Sequence, residues 1–141
     1  MKSKLISLIL LLVAVILGSV YYWQFYRKDS ADILSSVSLG ERQAAILIDF
    51  GSKESERFFR GEVVKDMSLL DALRLSAMAG NLELQVNGEL GAEKIVKIDG
   101  LQDGKDGGRW NYYLDGEKIE KSLSAQIVSP GDRFKFVYEP R

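Results

Sequence analysis

Ser68-Leu-Leu-Asp-Ala-Leu-Arg-Leu-Ser-Ala-Met-Ala-Gly-Asn81 reads as a helix, with segments that read as strands on both sides of it. Ser68 suits the N-cap, and Asp71, three residues on, is placed to return the bond. Leu69, Leu70, Leu73, Ala77 and Met78 recur at helical spacing and predict an apolar stripe facing the domain's own core. Gly80 and Asn81 tolerate the left-handed conformation that ends helices, so the spacing predicts a helix over 69–79.

Upstream of the helix, Ala44-Ala-Ile-Leu-Ile-Asp-Phe50 is a continuous apolar run of strand length, suited to a strand buried on both faces. Gly51-Ser52-Lys53 reads as a turn, and residues 54–65, with Phe58, Phe59, Val63 and Val64, read as the return strand of a hairpin. After the helix, Leu82, Leu84 and Val86 alternate with Glu83, Gln85 and Asn87, the pattern of a half-buried strand. Ile95–Ile98 forms a short strand before the Asp99-Gly100 turn. Residues 101–108, rich in glycine and aspartate, read as a loop. Residues 109–115 and 133–139 close the pattern as strands, set off by the Asp115-Gly116 and Pro130-Gly131-Asp132 turns. The order is strand, strand, helix and then several strands. That order predicts an α+β fold, a β-grasp-like mixed sheet with one crossing helix.

Ahead of this domain, Leu5–Val20 is almost unbroken apolar sequence, preceded by Lys2 and Lys4. Tyr21, Tyr22, Trp23, Phe25 and Tyr26 follow it, then Arg27 and Lys28. A helix from Leu5 to Trp23 would run about 28 Å, close to the hydrocarbon thickness of a bilayer. Aromatic rings followed by basic residues suit the membrane–water interface. Residues 1–28 are therefore expected to form a single membrane anchor, with lipid contacted through residues 5–23. A cleaved signal peptide is the rival reading, but an A-x-A-like site is missing. Basic residues are nearly balanced across the segment. A short N-terminus before a long hydrophilic domain places that domain outside the cytoplasm. Residues 29–43 read as a polar linker, and residues 44–141 as the domain.

Composition excludes several chemistries. The chain has no cysteine and no histidine. Disulfides, thiolate or imidazole metal sites, cysteine nucleophiles and Ser-His-Asp triads are thereby ruled out. Four of the 19 basic residues precede Asp29, leaving 15 against all 20 acidic ones, so the region beyond the anchor is net acidic. A nucleic-acid surface needs the opposite balance. Asp99, Asp103 and Asp106 lack the ordered ligand series of a calcium loop, and the glycine-rich segment matches no phosphate-loop pattern. No metal and no cofactor are expected. Asp49 and Glu62, read as neighbours across the first hairpin, are the one carboxylate pair considered for acid–base work. The chain end, Tyr138-Glu139-Pro140-Arg141, lacks the glycine pair of a ubiquitin-like carrier.

Trp110, Tyr112 and Tyr113 are the candidate ligand-binding residues. Strand alternation puts Trp110, Tyr112 and Leu114 on one face, where Phe134, Phe136 and Tyr138 are placed to pack against them. Asn111, Tyr113 and Asp115 fall on the other face, so Tyr113 is the better surface candidate.

Gly108-Arg-Trp-Asn-Tyr-Tyr-Leu-Asp-Gly116, with Pro130-Gly-Asp-Arg-Phe-Lys-Phe-Val-Tyr138 behind it, resembles the transcobalamin-like C-terminal domain family. Met67-Ser-Leu-Leu-Asp-Ala-Leu73 and Ile98-Asp-Gly100 resemble two further elements of its pattern, and together they span residues 44–139. The resemblance implies a β-grasp domain in a membrane-attached or secreted protein. In vertebrate members the domain closes over cobalamin together with a helical domain, whereas most bacterial members have no assigned activity. The family often carries V-G-A where this chain has Lys121-Ser122-Leu123, so that loop is expected to differ. The expected function is non-enzymatic: an extracytoplasmic binding or interaction module for a corrinoid-like small molecule, a glycan or an envelope protein. The alternative is a structural adaptor in a membrane assembly, working through an exposed sheet edge.

Overall fold

The computed structural model describes residues 33–51 and 56–139. The chain divides into two compact units, residues 1–37 and 38–141. In the first, the described residues include a helical piece at 33–36. The anchor read at residues 5–23 lies outside the described residues. Among those described, no helix is long and apolar enough to cross a membrane.

The second unit is a mixed α+β fold with two sheets. β1 (Gln43–Asp49) and β2 (Arg57–Glu62) form the first hairpin. α1 (Leu69–Ala79) follows, and then β3 (Leu84–Asn87), β4 (Lys94–Ile98) and β5 (Leu101–Gln102). A single 3-10 turn at Lys105–Gly107 leads to β6 (Arg109–Leu114), β7 (Glu117–Lys118) and β8 (Arg133–Glu139). The larger sheet has the order β2-β1-β8-β6-β7. Its central pair, β1 and β8, is parallel, and its other pairs are antiparallel.

The expected mixed sheet is thus divided: β3, β4 and β5 form a separate three-stranded sheet. The segment read as a loop at 101–108 holds both β5 and the 3-10 turn. Leu101 packs against the core, and its carbonyl accepts the Trp110 indole N–H at 3.0 Å. The loop's ordering therefore comes from a residue outside it.

β1 is buried on both faces, as its unbroken apolar run predicts. Ala44, Ile46 and Ile48 join the core, while Ala45 and Leu47, on the other face, are each 1% exposed. α1 starts as expected. The Ser68 hydroxyl accepts the Asp71 backbone N–H at 3.1 Å, and an Asp71 carboxylate oxygen accepts the Ser68 N–H at 3.3 Å. Its buried face is Leu69, Leu70, Leu73, Ser76 and Ala77. Met78, assigned to the stripe, is instead largely exposed, and Ser76 takes the inward place with its hydroxyl donating to the Ala72 carbonyl. Burying a leucine such as Leu69 or Leu73 contributes about 1.5–3 kcal/mol.

The helix stop also differs in detail. Gly80 has φ −86°, and Asn81, at φ +51°, takes the left-handed step. Gly80 is demanded by packing, because a Cβ there would lie 2.6 Å from the Phe59 ring.

Candidate functional site

The register of β6 on β8 sets Trp110 opposite Tyr138, Tyr112 opposite Phe136 and Leu114 opposite Phe134. These are the cross-strand partners that alternation predicts. Trp110 is 7% exposed. Phe50 meets its ring edge-on at 5.8 Å, and Tyr138 lies 5.2 Å away. Its backbone N–H donates to Asp103 Oδ1 at 2.8 Å. The Tyr138 hydroxyl lies 3.1 Å from the Gln102 carbonyl and 3.0 Å from the Lys105 carbonyl, within donating reach of both. Trp110 and Tyr138 therefore fasten the 101–108 segment to the large sheet. Gly108 is the residue that permits this, since a Cβ there would overlap the Tyr138 ring at 2.3 Å.

Tyr112 fastens a second segment. Its ring lies 5.7 Å from Phe136, and its hydroxyl donates to the Lys121 carbonyl at 2.6 Å. Burial, with Glu120 and Glu93 nearby, pushes its phenol above the ordinary value. Glu93 is itself buried and forms a knot with the same loop. Ser124 Oγ donates to Glu93 Oε2 at 2.8 Å, and the Gly91 N–H donates to Glu93 Oε1 at 3.1 Å. Burial works to raise the Glu93 carboxyl, yet these bonds outweigh it and hold it below the ordinary value. Ser122 Oγ, on the same loop, is buried and meets no hydrogen-bond partner among the described residues. Leu123, at the third position of the departing tripeptide, is fully buried in the core.

Tyr113 lies on the opposite face, half-buried, and leans along the strand. Its hydroxyl donates to Glu139 Oε1 at 2.8 Å, while the Asn111 amide donates to Glu139 Oε2 at 2.8 Å. The register places Lys135 and Lys118 on either side of Tyr113. Lys135 pairs with Asp49 at 3.2 Å. This face offers a phenol, an amide and charges of both signs, a set suited to hydrogen-bonding a polar ligand. The structure thus divides the three sequence candidates. Trp110 and Tyr112 hold two loops from the core side, and Tyr113 belongs to the outer face.

The carboxylate pair does not form. Glu62 sits opposite Gln43, whereas Asp49 lies at the far end of the hairpin, beyond the Ile48–Arg57 pair. The strand length of the hairpin separates them. Among the loop aspartates, Asp99 is at a turn with φ +45°, and Asp103 accepts the Trp110 N–H. No group of three or more potential metal-binding side chains occurs among the described residues.

Glu93, Ser124 and Glu139 were not legible as site residues. Ser124 lies 31 residues from its partner Glu93, and Glu139 lies 26 from Tyr113. Period-two alternation on β8 does put Glu139 on the Tyr113 face, which is the one signal that pointed to it.

No family model matches this chain, and no curated protein does. Solved structures do resemble it. One is a candidate metal binding protein from Ruminococcus gnavus ATCC 29149, with TM-score 0.54 and 20% identity over 72% of this chain and 99% of that one. Another is haptocorrin in complex with Cbi, with TM-score 0.59 and 13% identity over 75% of this chain. This chain spans 27% of haptocorrin's length. At these identities the likeness is one of fold.

Proposed function

We propose that residues 44–141 form a non-enzymatic β-grasp binding module of the transcobalamin-like C-terminal type. Residues 5–23 tether it to the membrane, and the module lies outside the cytoplasm. Its ligand is a small molecule, corrinoid-like or a glycan. The observation that carries this reading is the likeness to a segment of haptocorrin, whose structure includes Cbi. The β6 geometry supports it: Trp110 and Tyr112 pin two loops, and Tyr113 presents polar groups on the outer face. Calorimetry of the full chain with cobalamin and related corrinoids tests the corrinoid class. Binding heat whose affinity falls about tenfold on Tyr113→Ala supports it, and silence across the series removes it.

The second reading is a structural adaptor that acts through a sheet edge. It is favoured by β2, an outermost strand of the large sheet. Recovery of the full-length chain from membranes separates the two, since an adaptor brings a stoichiometric companion and a small-molecule binder does not.

A further inference from the structure

The second reading has a partner chemistry written into β2. Val63 N–H donates to the Arg42 carbonyl at 2.8 Å, and Ala45 N–H donates to the Asp132 carbonyl, toward β8. Antiparallel pairing alternates bonded and non-bonded pairs. The bonded pairs are therefore Gly61 with Ala44, Phe59 with Ile46 and Arg57 with Ile48. Phe58, Arg60 and Glu62 must then aim their N–H and C=O groups away from β1, at the open edge. Among the described residues, none of these groups meets a partner.

Beside this edge, between β2 and α1, lies an apolar cleft of about 210 Å³. Phe59, Met67, Ser76, Ala79 and Val128 line it, and Gly61 stands at its β2 side. A Cβ at Gly61 would meet nothing within 4 Å. The missing side chain leaves the cleft open toward the edge. Its volume exceeds the ~150 Å³ of a cavity that takes a benzene ring. Arg57 and Arg60 are exposed and form no ion pair among the described residues, while Glu62 is the one carboxylate on the strand. Two unpaired guanidiniums discourage pairing with a second copy of the same strand and favour an acidic one.

We propose that β2 accepts an extended acidic segment of another protein as an added strand. Main-chain bonds form along Phe58, Arg60 and Glu62. The partner residue beside Gly61 drops a bulky apolar side chain into the cleft, and its neighbour beside Arg60 is Asp or Glu, on the opposite face. This inference rests on the edge reading and is independent of the small-molecule one.

Selection of short random peptides displayed against the full-length chain in detergent micelles tests it. Enriched peptides carry Asp or Glu next to Leu, Ile or Phe. They bind Gly61→Leu about tenfold more weakly, because the new side chain fills the cleft. Arg60→Glu, a change at the exposed rim of the cleft that leaves Gly61 and its apolar lining in place, turns the preference from acidic to basic peptides. On peptide binding, the Phe58, Arg60 and Glu62 amides gain protection from hydrogen exchange. The proposal is overturned if no peptide is enriched, or if the enriched peptides bind both variants as they bind the parent. It also fails if those amides are already protected in a dimer of this chain. Corrinoid heats that persist while the peptide selection fails would strike out this edge alone.

Discussion

Gly108 and Tyr138 show how one missing side chain fixes a segment. The strand pattern around Trp110 was legible because alternation and register are local properties. The need for glycine at 108 was not, since the ring that excludes a Cβ belongs to a residue 30 positions on. Gly108→Ala should cost about 1–3 kcal/mol in urea unfolding, the range for forcing atoms into a packed site. In a Tyr138→Ala background the cost should shrink, a coupling that a double-mutant cycle reads directly. Glu93 and Tyr112 give opposite dependences on pH. The Glu93 carboxyl is held low in the fold. Its contribution is complete above the ordinary carboxylate value and is lost as pH falls through the lowered one. Acid titration of the unfolding midpoint should therefore be shallower in Glu93→Gln. The Tyr112 phenol is raised above 10.0. The unfolded chain then ionises first, and stability should decline as pH rises past about 10, less steeply in Tyr112→Phe.

At the scale of elements, α1 was the most legible because its start depends on residues three apart. Ser68→Ala removes the hydroxyl that accepts the Asp71 N–H, and should cost about 0.5–2 kcal/mol by thermal or urea unfolding. At about 100° per residue Met78 falls opposite Leu69 and Ser76 beside it, so Met78 entered the expected stripe through its hydrophobicity, not through its position. The inward place goes to Ser76, whose hydroxyl is satisfied by the Ala72 carbonyl. The first hairpin was legible as a hairpin, yet the separation of Asp49 from Glu62 was not, because the register depends on where the turn falls. β5 escaped notice for a different reason. Two residues carry no periodicity, and its order comes from pairing with β4 and from the bonds of Trp110 and Tyr138. Trp110→Phe keeps an aromatic ring but loses the indole bond to Leu101. Faster amide exchange confined to residues 101–105 is the expected result.

For the molecule as a whole, the sequence order predicted an α+β fold but not its division into two sheets. Short strands beyond the helix state their own hydrophobic pattern without stating which sheet they join. The described core gathers Leu69, Leu73, Leu123, Phe134 and Phe136 from well-separated stretches of the chain. A protein made of residues 38–141, the second compact unit, should therefore unfold in a single cooperative step. Its urea midpoint should match that of the domain in the full chain. The tethering proposal carries its own check. Alkaline carbonate should leave the full chain in the membrane pellet, whereas a chain lacking residues 5–23 should wash free.

The parallel pairing of β1 with β8 has a mechanical corollary. Both strands start at the same end of the sheet, so a pull applied before Gln43 and after Glu139 tugs the two neighbours lengthwise in opposite directions. All the rungs between them then bear the load together, where a hairpin pulled at its open ends would unzip rung by rung. A domain stretched between its two ends would meet its greatest resistance at the centre of the sheet.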